Sequence, residues 1–137
     1  MILPTVIKTK RADLQQERGQ TLVEFAMVLP LIAVLLFGVI QFGIAFNNYV
    51  TLTDAVRAGA RKAAVSRQTS DPVGNATSAV YSSASDLKAA KLSVSVSSDW
   101  QPGDPVTVTA TYPYSINLLG VVVKTGNLSS KTTERVE

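Results

Sequence analysis

The sequence predicts an α+β protein in which a long N-terminal helix is followed by a small antiparallel sheet. Residues 25–46 are apolar and carry no formal charge, and helical spacing of apolar side chains continues to about residue 68. Residues 92–112 instead contain two segments in which apolar residues alternate with serine or threonine. Helical and strand-forming segments that follow one another along the chain are typical of an α+β arrangement.

Length and composition limit what such a chain can do. Of its 137 residues, the first 46 are polar leader and apolar run, so only one small further domain remains. The chain contains no His and no Cys, which removes the commonest acid–base group, thiol nucleophiles and thiolate metal sites. We therefore expect no enzymatic activity, no metal, no cofactor and no small-molecule substrate.

The net charge of +3 does not indicate nucleic-acid binding. Residues 1–19 hold four basic and two acidic side chains, which leaves nine basic and eight acidic side chains, or +1, in the rest. No cluster of Lys and Arg is interleaved with aromatic residues that could stack on bases. We expect no nucleic-acid partner.

The apolar run is long enough to cross a bilayer. Its 22 residues, at about 1.5 Å per residue, span roughly 33 Å as a helix, slightly more than the hydrocarbon thickness. A cleaved secretory signal has a shorter run with a small-x-small site directly after it, and none directly follows Phe46. We predict a leader at residues 1–19, a transmembrane helix at 20–46 and an exterior domain at 47–137.

Helical spacing continues beyond the span. Apolar residues at intervals of three and four predict one continuous helix from about Thr21 to Arg67. Its outer half carries a stripe of small residues that allows another backbone or a sheet to approach closely. The stripe consists of Ala55, Gly59, Ala60, Ala63 and Ala64. Residues 68–75 contain turn-forming residues and predict a loop, and a second helix is predicted from about Ala76 to Lys88 with Asn75 as its N-cap.

Three strands are predicted after the second helix. The alternating segments 92–97 and 106–112 predict a hairpin whose tip contains Trp100, which we interpret as a lid over the sheet rather than an exposed adhesive group. Pro113 is expected to end the second strand because proline cannot donate to a ladder. Residues 116–123 are apolar without clean alternation and could be a buried edge or a partner contact, and residues 128–136 predict a third strand.

Several segments resemble the TadE-like proteins, which are pilin-like subunits of the bacterial tight-adherence (Flp, type IVc) pilus machinery. The resemblance extends over roughly residues 18–65 and rests on four segments. They are Gly19-Gln20-Thr21-Leu22-Val23-Glu24-Phe25-Ala26, Val28-Leu29-Pro30, Phe37-Gly38-Val39-Ile40-Gln41-Phe42-Gly43 and Arg57-Ala58-Gly59-Ala60-Arg61.

The resemblance implies a lollipop-like pilin fold in the cytoplasmic (inner) membrane, with the N-terminus inside. It implies a prepilin peptidase that cuts between Gly19 and Gln20, so that Glu24 becomes the fifth residue and pairs with a new amino terminus. The implied partners are that peptidase, membrane lipid, and other pilin-like subunits and pilus-assembly proteins. Candidate helix-packing positions are Pro30, Gly38, Gln41, Gly43, Arg57, Gly59 and Arg61.

Several of these positions also have a simpler explanation. Thr21 and Glu24 form a capping-box pattern, which can coexist with the processing role. Pro30 is better explained as a bend than as a specific site, and Gln41 stands where the family often has an acidic residue. Arg57 and Arg61 fit a solvated helix face better than a dedicated contact.

A second function is consistent with the same sequence. The chain could be an unprocessed, signal-anchored exterior domain that binds cell wall or a secretion-system component through its hairpin tip or residues 116–123. The positive-inside count does not orient the span, because Lys and Arg are nearly as frequent after it as before it. The cytoplasmic position of residues 1–19 therefore depends on the family resemblance.

Overall fold

The computed structural model describes residues 6–118 and 120–137, with side chains described from Gly19 onward. Its elements are α1 (Val6–Ala64), α2 (Pro72–Ser83), a short 3-10 turn (Ala89–Lys91), β1 (Ser93–Ser97), β2 (Pro105–Leu118) and β3 (Val121–Arg135). The strands form one antiparallel sheet in the order β1-β2-β3. The predicted α+β class, with a long N-terminal helix and a small antiparallel sheet, is confirmed.

The chain divides into two compact units, one ending at Val39 and the other comprising Ile40–Glu137. In the first unit the large apolar side chains from Leu22 to Val39 are all exposed. Within Gly19–Ala64 an 18-residue window has a mean hydropathy of 2.6, and none of it is buried. By length and composition this helix is able to cross a membrane.

Helix α1 begins at Val6, so the expected start near Thr21 is wrong. Residues 6–18 contain no Gly or Pro and include many Lys, Arg, Gln, Glu and Leu residues, which have high helix propensity. Residues 6–18 are polar, but they are helical all the same and continue directly into the apolar run. The first five residues of the predicted leader lie outside the described residues.

The second unit forms its core between the last part of α1, α2 and the sheet. Leu52, Val56 and Ala60 of α1 are fully buried, as are Val106 and Val108 of β2. Burying a Leu or Val side chain contributes about 1.5–3 kcal/mol. The helical spacing that predicted an extension of the apolar run into the exterior domain thus corresponds to the core-facing stripe of α1.

Helix α2 begins four residues earlier than predicted. Its N-cap is Asp71, whose Oδ1 accepts a hydrogen bond from the N–H of Gly74 at 2.8 Å, and Pro72 occupies the first turn. Asn75 is not the cap, since its side-chain amide donates to Oγ1 of Thr69 at 3.0 Å. An Asp-Pro pair is a good helix start. Aspartate caps the free N–H groups of the first turn, and proline fits the first helical position because its missing N–H would have no partner there.

Strand β2 continues through Pro113 to Leu118, so the expected end of the strand at proline is wrong. Strand β1 pairs with β2 only as far as Thr111, whereas Pro113 stands opposite Asn127 of β3. Beyond β1, one edge of β2 is open in the described sheet, and proline is tolerated in a strand that needs ladder hydrogen bonds on only one side.

Residues 116–123 do not form a buried edge strand. They contain the end of β2 and the start of β3, which pair as a hairpin. Strand β3 begins at Val121 instead of residue 128, and Gly120 takes a positive φ of 88° at the turn. Val121, Val122 and Val123 are exposed. In the other loop, Trp100 is half-buried against the core, which confirms its interpretation as a lid.

Candidate functional site

The Gly19–Gln20 peptide bond lies inside α1. Both residues are exposed, and no described atom outside the local helix lies within 4 Å of the position that a Cβ on Gly19 would take. A peptidase needs this bond in an extended conformation, so the helix must unwind locally. Glycine makes that easier, because it destabilises a helix interior by about 1 kcal/mol relative to alanine.

Glu24 lies one turn after Gln20 on the same face of α1. The Gln20 side-chain amide donates to Oε1 of Glu24 at 3.0 Å, and both side chains are exposed. Because α1 passes through this segment without a break, Thr21 is not at a helix N-terminus in the full chain. The capping-box interpretation of Thr21 and Glu24 is therefore wrong for the uncut protein.

Pro30, Gly38 and Gly43 lie on the apolar part of α1. Pro30 is inside the helix, where it has no N–H to donate. No described atom outside the local helix lies within 4 Å of a Cβ placed on Gly38 or Gly43. At both glycines the helix surface is bare, and another helix or a lipid chain can approach the backbone closely.

Gln41 has different surroundings, because it belongs to the second unit. It is half-buried and lines a small recess with Asn48, Lys88 and Lys91, next to β2 residues 112–115. Polar groups of the same unit therefore surround this position. Local sequence patterns do not reveal these surroundings, because the neighbours of Gln41 outside α1 lie at least 47 residues away along the chain.

Arg57 and Arg61 are exposed on the last part of α1. Nη1 of Arg57 lies 3.4 Å from Oδ1 of Asp54, and the two side chains are 60% and 66% exposed. A solvated pair of this kind contributes less than about 1 kcal/mol. Arg61 is in the last turn, where a positive charge interacts favourably with the helix dipole.

Gly59 of α1 is buried against two other elements of the second unit, α2 and β2. A Cβ on Gly59 would overlap Cγ2 of Val80 in α2 and would lie 3.2 Å from the carbonyl oxygen of Ala76 and 3.6 Å from Cγ1 of Val108 in β2. The small-residue stripe on α1 thus allows α2 and the sheet of the same chain to approach. Its contacts lie within the chain, so Gly59 is not available to another subunit's helix.

Sequence reasoning missed the residues that surround the α1 segment 41–49. Lys88, Lys91, Tyr114 and Lys124 line the recesses beside this segment. Gly120 between two apolar segments is typical of a hairpin turn and could have placed Tyr114 and Lys124 on paired strands, but no signal places Lys88 and Lys91. Among the residues whose side chains are described, no group of three or more His, Cys, Asp and Glu could hold a metal ion.

Comparison with known proteins supports the resemblance on the N-terminal segment. The family model described as TadE-like protein matches residues 19–61. No curated protein and no solved structure matches the chain. The match starts at Gly19 and ends at Arg61, so it includes the whole apolar run and the buried Gly59. Residues 19–61 of this chain are thus similar to TadE-like proteins, a pilin-like structural family, and they lie on a helix long and apolar enough to cross a membrane.

Proposed function

We propose that the protein is a non-enzymatic, membrane-anchored pseudopilin that takes part in the assembly of a tight-adherence (Flp-type) pilus. In this proposal a prepilin peptidase matures it by cutting after Gly19. The observation that carries the proposal is the TadE-like match, which begins at Gly19 and continues into a helix whose large apolar side chains are exposed. Residues 1–19 would face the cytoplasm, the helix would cross the inner membrane once, and residues 47–137 would lie outside.

The proposed cut changes the electrostatics of Glu24. Hydrolysis adds one water and leaves a carboxyl group on Gly19 and an amino group on Gln20. In the uncut chain Glu24 is inside α1, but after the cut, with Thr21 as the N-cap, it is the third residue of a helix that begins at Leu22. A carboxylate there interacts favourably with the helix dipole, by about 0.3–1 kcal/mol, and the capping box of Thr21 and Glu24 becomes available.

The position of Glu24 also supports a partner in the assembled state. It is followed directly by the apolar run, and a carboxylate within hydrocarbon costs about 2.5–3.5 kcal/mol at the helix centre and less near the edge. The new amino group on Gln20, in the same chain or in a neighbouring subunit, is a cation that can offset this cost. Cleavage would therefore prepare Glu24 for assembly.

The proposed assembly depends on lateral packing of the apolar part of α1. From Leu22 to Phe46 its large apolar side chains are exposed, and Gly38 and Gly43 leave the backbone accessible. Small residues of this kind allow membrane helices to approach closely. Gly59 is covered by Val80 and Ala76 of α2. Contacts between subunits would therefore lie along the apolar part of α1 and not at this glycine.

Mass spectrometry of the native N-terminus tests the proposal. When the chain is co-expressed with a cognate prepilin peptidase, we expect Gln20 as the first residue. Gly19→Arg should abolish cleavage, because a long charged side chain cannot follow the backbone into the peptidase cleft. Gln15→Arg adds the same charge to the leader and is the matched control, which should be cut normally.

The opposite result has a defined meaning. A chain that keeps Met1 in the presence of active peptidase, with Gly19→Arg behaving like the unaltered protein, would overturn the proposed maturation. It would instead support an unprocessed, signal-anchored exterior domain that binds cell wall or a secretion-system component.

A further inference from the structure

Strand β2 runs beside α1 in the opposite direction. A Cβ on Gly59 would lie 3.6 Å from Cγ1 of Val108, while Phe42 and Ala45 line one groove together with Tyr114 and Ile116. The 15 helical residues from 59 back to 44 extend about 22 Å at 1.5 Å each, and the seven strand residues from 108 to 115 extend about 23 Å at 3.3 Å each. The two elements therefore stay side by side as β2 approaches residues 40–46.

The β2–β3 hairpin continues past this groove. Ile116 stands opposite Lys124, and the strand pairing continues to Leu118 and Val121. Asn117, which stands opposite Val122, lies about 30 Å from Val108 along β2, and Ile40 lies about 29 Å from Gly59 along α1, so Val122 is at about the level of Ile40. The hairpin end thus lies beside the outer end of the apolar run.

The end of the hairpin is apolar on both faces. Val121, Val122 and Val123 are 66%, 57% and 60% exposed, and successive strand residues point to opposite faces. A protein partner docked on one face would leave the other face in water. Exposure on both faces suits a surrounding apolar medium, and the adjacent segment of α1 presents similar exposure, with Phe42 at 68%.

Lysines and tyrosines lie around α1 just beyond this level. Lys88 and Lys91 line the recess beside Gln41 and Asn48, and Lys124 lines the groove on the other side of Ala45. Tyr49 and Tyr114 line that same groove. Lysine keeps its amine in the polar region while its stem contacts apolar surface, and tyrosine is enriched at membrane interfaces.

We propose that residues 121–123 at the end of the β2–β3 hairpin are a second membrane contact. They insert into the outer leaflet of the same bilayer that α1 crosses, and Lys88, Lys91 and Lys124 lie at the level of the lipid phosphates. The proposal rests on the membrane anchoring of residues 25–46 described above. Lipid is the occupant because the hairpin end continues the exposed apolar surface of α1 and because cations border it.

Depth-dependent quenching in the full-length chain tests this inference. The sequence contains no cysteine, so a single introduced cysteine carries the only thiol-reactive fluorophore. Val122→Cys probes the hairpin end, Phe42→Cys is the positive reference on α1, and Ser97→Cys on exposed β1 is the matched negative reference. The labelled proteins are reconstituted in vesicles of phosphatidylethanolamine and phosphatidylglycerol that contain lipids with a quencher near the headgroup.

We expect the label at position 122 to be quenched about as strongly as the label at 42, whereas the label at 97 stays unquenched. A label at 122 that behaves like the one at 97, while the label at 42 is quenched, overturns the hairpin contact and leaves the membrane anchor intact. An unquenched label at 42 overturns the anchor itself. Quenching at 122 that depends on a second labelled copy, and disappears on dilution with unlabelled chain, also overturns the inference because it assigns the hairpin to another subunit.

Discussion

Gly59 of α1 lies directly against Val80 of α2, with no space for a methyl group between them. Ala76 of α2 and Val108 of β2 complete the surroundings of this glycine. The contact joins the end of the long helix to both other layers of the second unit. It explains why a chain whose helix carries a membrane-spanning run also keeps a stripe of small residues beyond that run.

Gly59→Ala should destabilise the second unit by up to about 2 kcal/mol. Alanine raises helix propensity by about 1 kcal/mol, but overpacking against a β-branched neighbour costs about 1–3 kcal/mol, and Val80 and the Ala76 backbone cannot easily move. Thermal unfolding of the full chain in detergent, followed through the sheet, measures the change. Gly43→Ala is the matched control on the exposed part of the same helix and should not lower the unfolding temperature; a lower temperature there would contradict the assignment of Gly43 to open surface.

Asp71→Ala should lower the free energy of unfolding by about 0.5–2 kcal/mol, because the N–H of Gly74 loses its acceptor at the start of α2. Asp71→Asn should retain most of the stability, since asparagine caps a helix about as well. Denaturant unfolding of the three proteins under the same detergent conditions is the measurement. Asp99→Ala removes an exposed carboxylate elsewhere and should have little effect. Equal losses in Asp71→Ala and Asp99→Ala would argue against the cap.

Leu52→Ala should cost about 2–5 kcal/mol, because the side chain is fully buried in the second unit. Leu36→Ala is the same substitution on the exposed apolar part of α1, where the side chain is 56% exposed, and should leave the unfolding of the sheet unchanged. Near-ultraviolet circular dichroism during thermal unfolding reports the second unit through Trp100. If the two variants unfolded at the same temperature, α1 would not have separate core-facing and exposed parts.

Glu24→Ala should permit cleavage after Gly19 yet reduce incorporation into pili, because the new amino group on Gln20 loses its counter-ion. Glu24→Gln separates charge pairing from capping, since glutamine can complete a capping box but carries no charge. The fraction of mature subunit in sheared filaments, relative to that in membranes, is the measurement. Both variants should be impaired if charge matters. Normal incorporation of Glu24→Gln with impaired Glu24→Ala would assign the residue to capping, and normal incorporation of both would remove it from assembly.

Replacing Lys88, Lys91 and Lys124 together by Gln should abolish any preference of the hairpin end for anionic over neutral vesicles. The three amines are the cations placed beside residues 41–49, and each contact near an anionic surface contributes about 1 kcal/mol. The fluorescence of a label at position 122, compared between the two vesicle types, measures the preference. Replacing Lys131, which is on β3 opposite Thr109 and away from this level, is the control and should leave the preference unchanged.

Much of the fold followed from local patterns in the sequence. The charge-free run of residues 25–46 specifies a helix able to cross a membrane, and the spacing of Leu52, Val56 and Ala60 specifies which side of its extension is buried. Alternation specifies the paired parts of β1 and β2. These features were predictable because burial repeats with the period of the local backbone, so a few neighbouring residues contain the whole signal.

Only the tertiary structure decided the features that depend on distant partners. Pro113 does not end β2 because β1 stops at Thr111, and Gly59 is required because Val80 lies against it. Tyr114 and Ile116 share a groove with Phe42 and Ala45 because β2 runs along α1 from Val108, which lies beside Gly59. In each case the outcome depends on a residue of another element, and a local stretch of sequence does not show which distant residues will lie next to it.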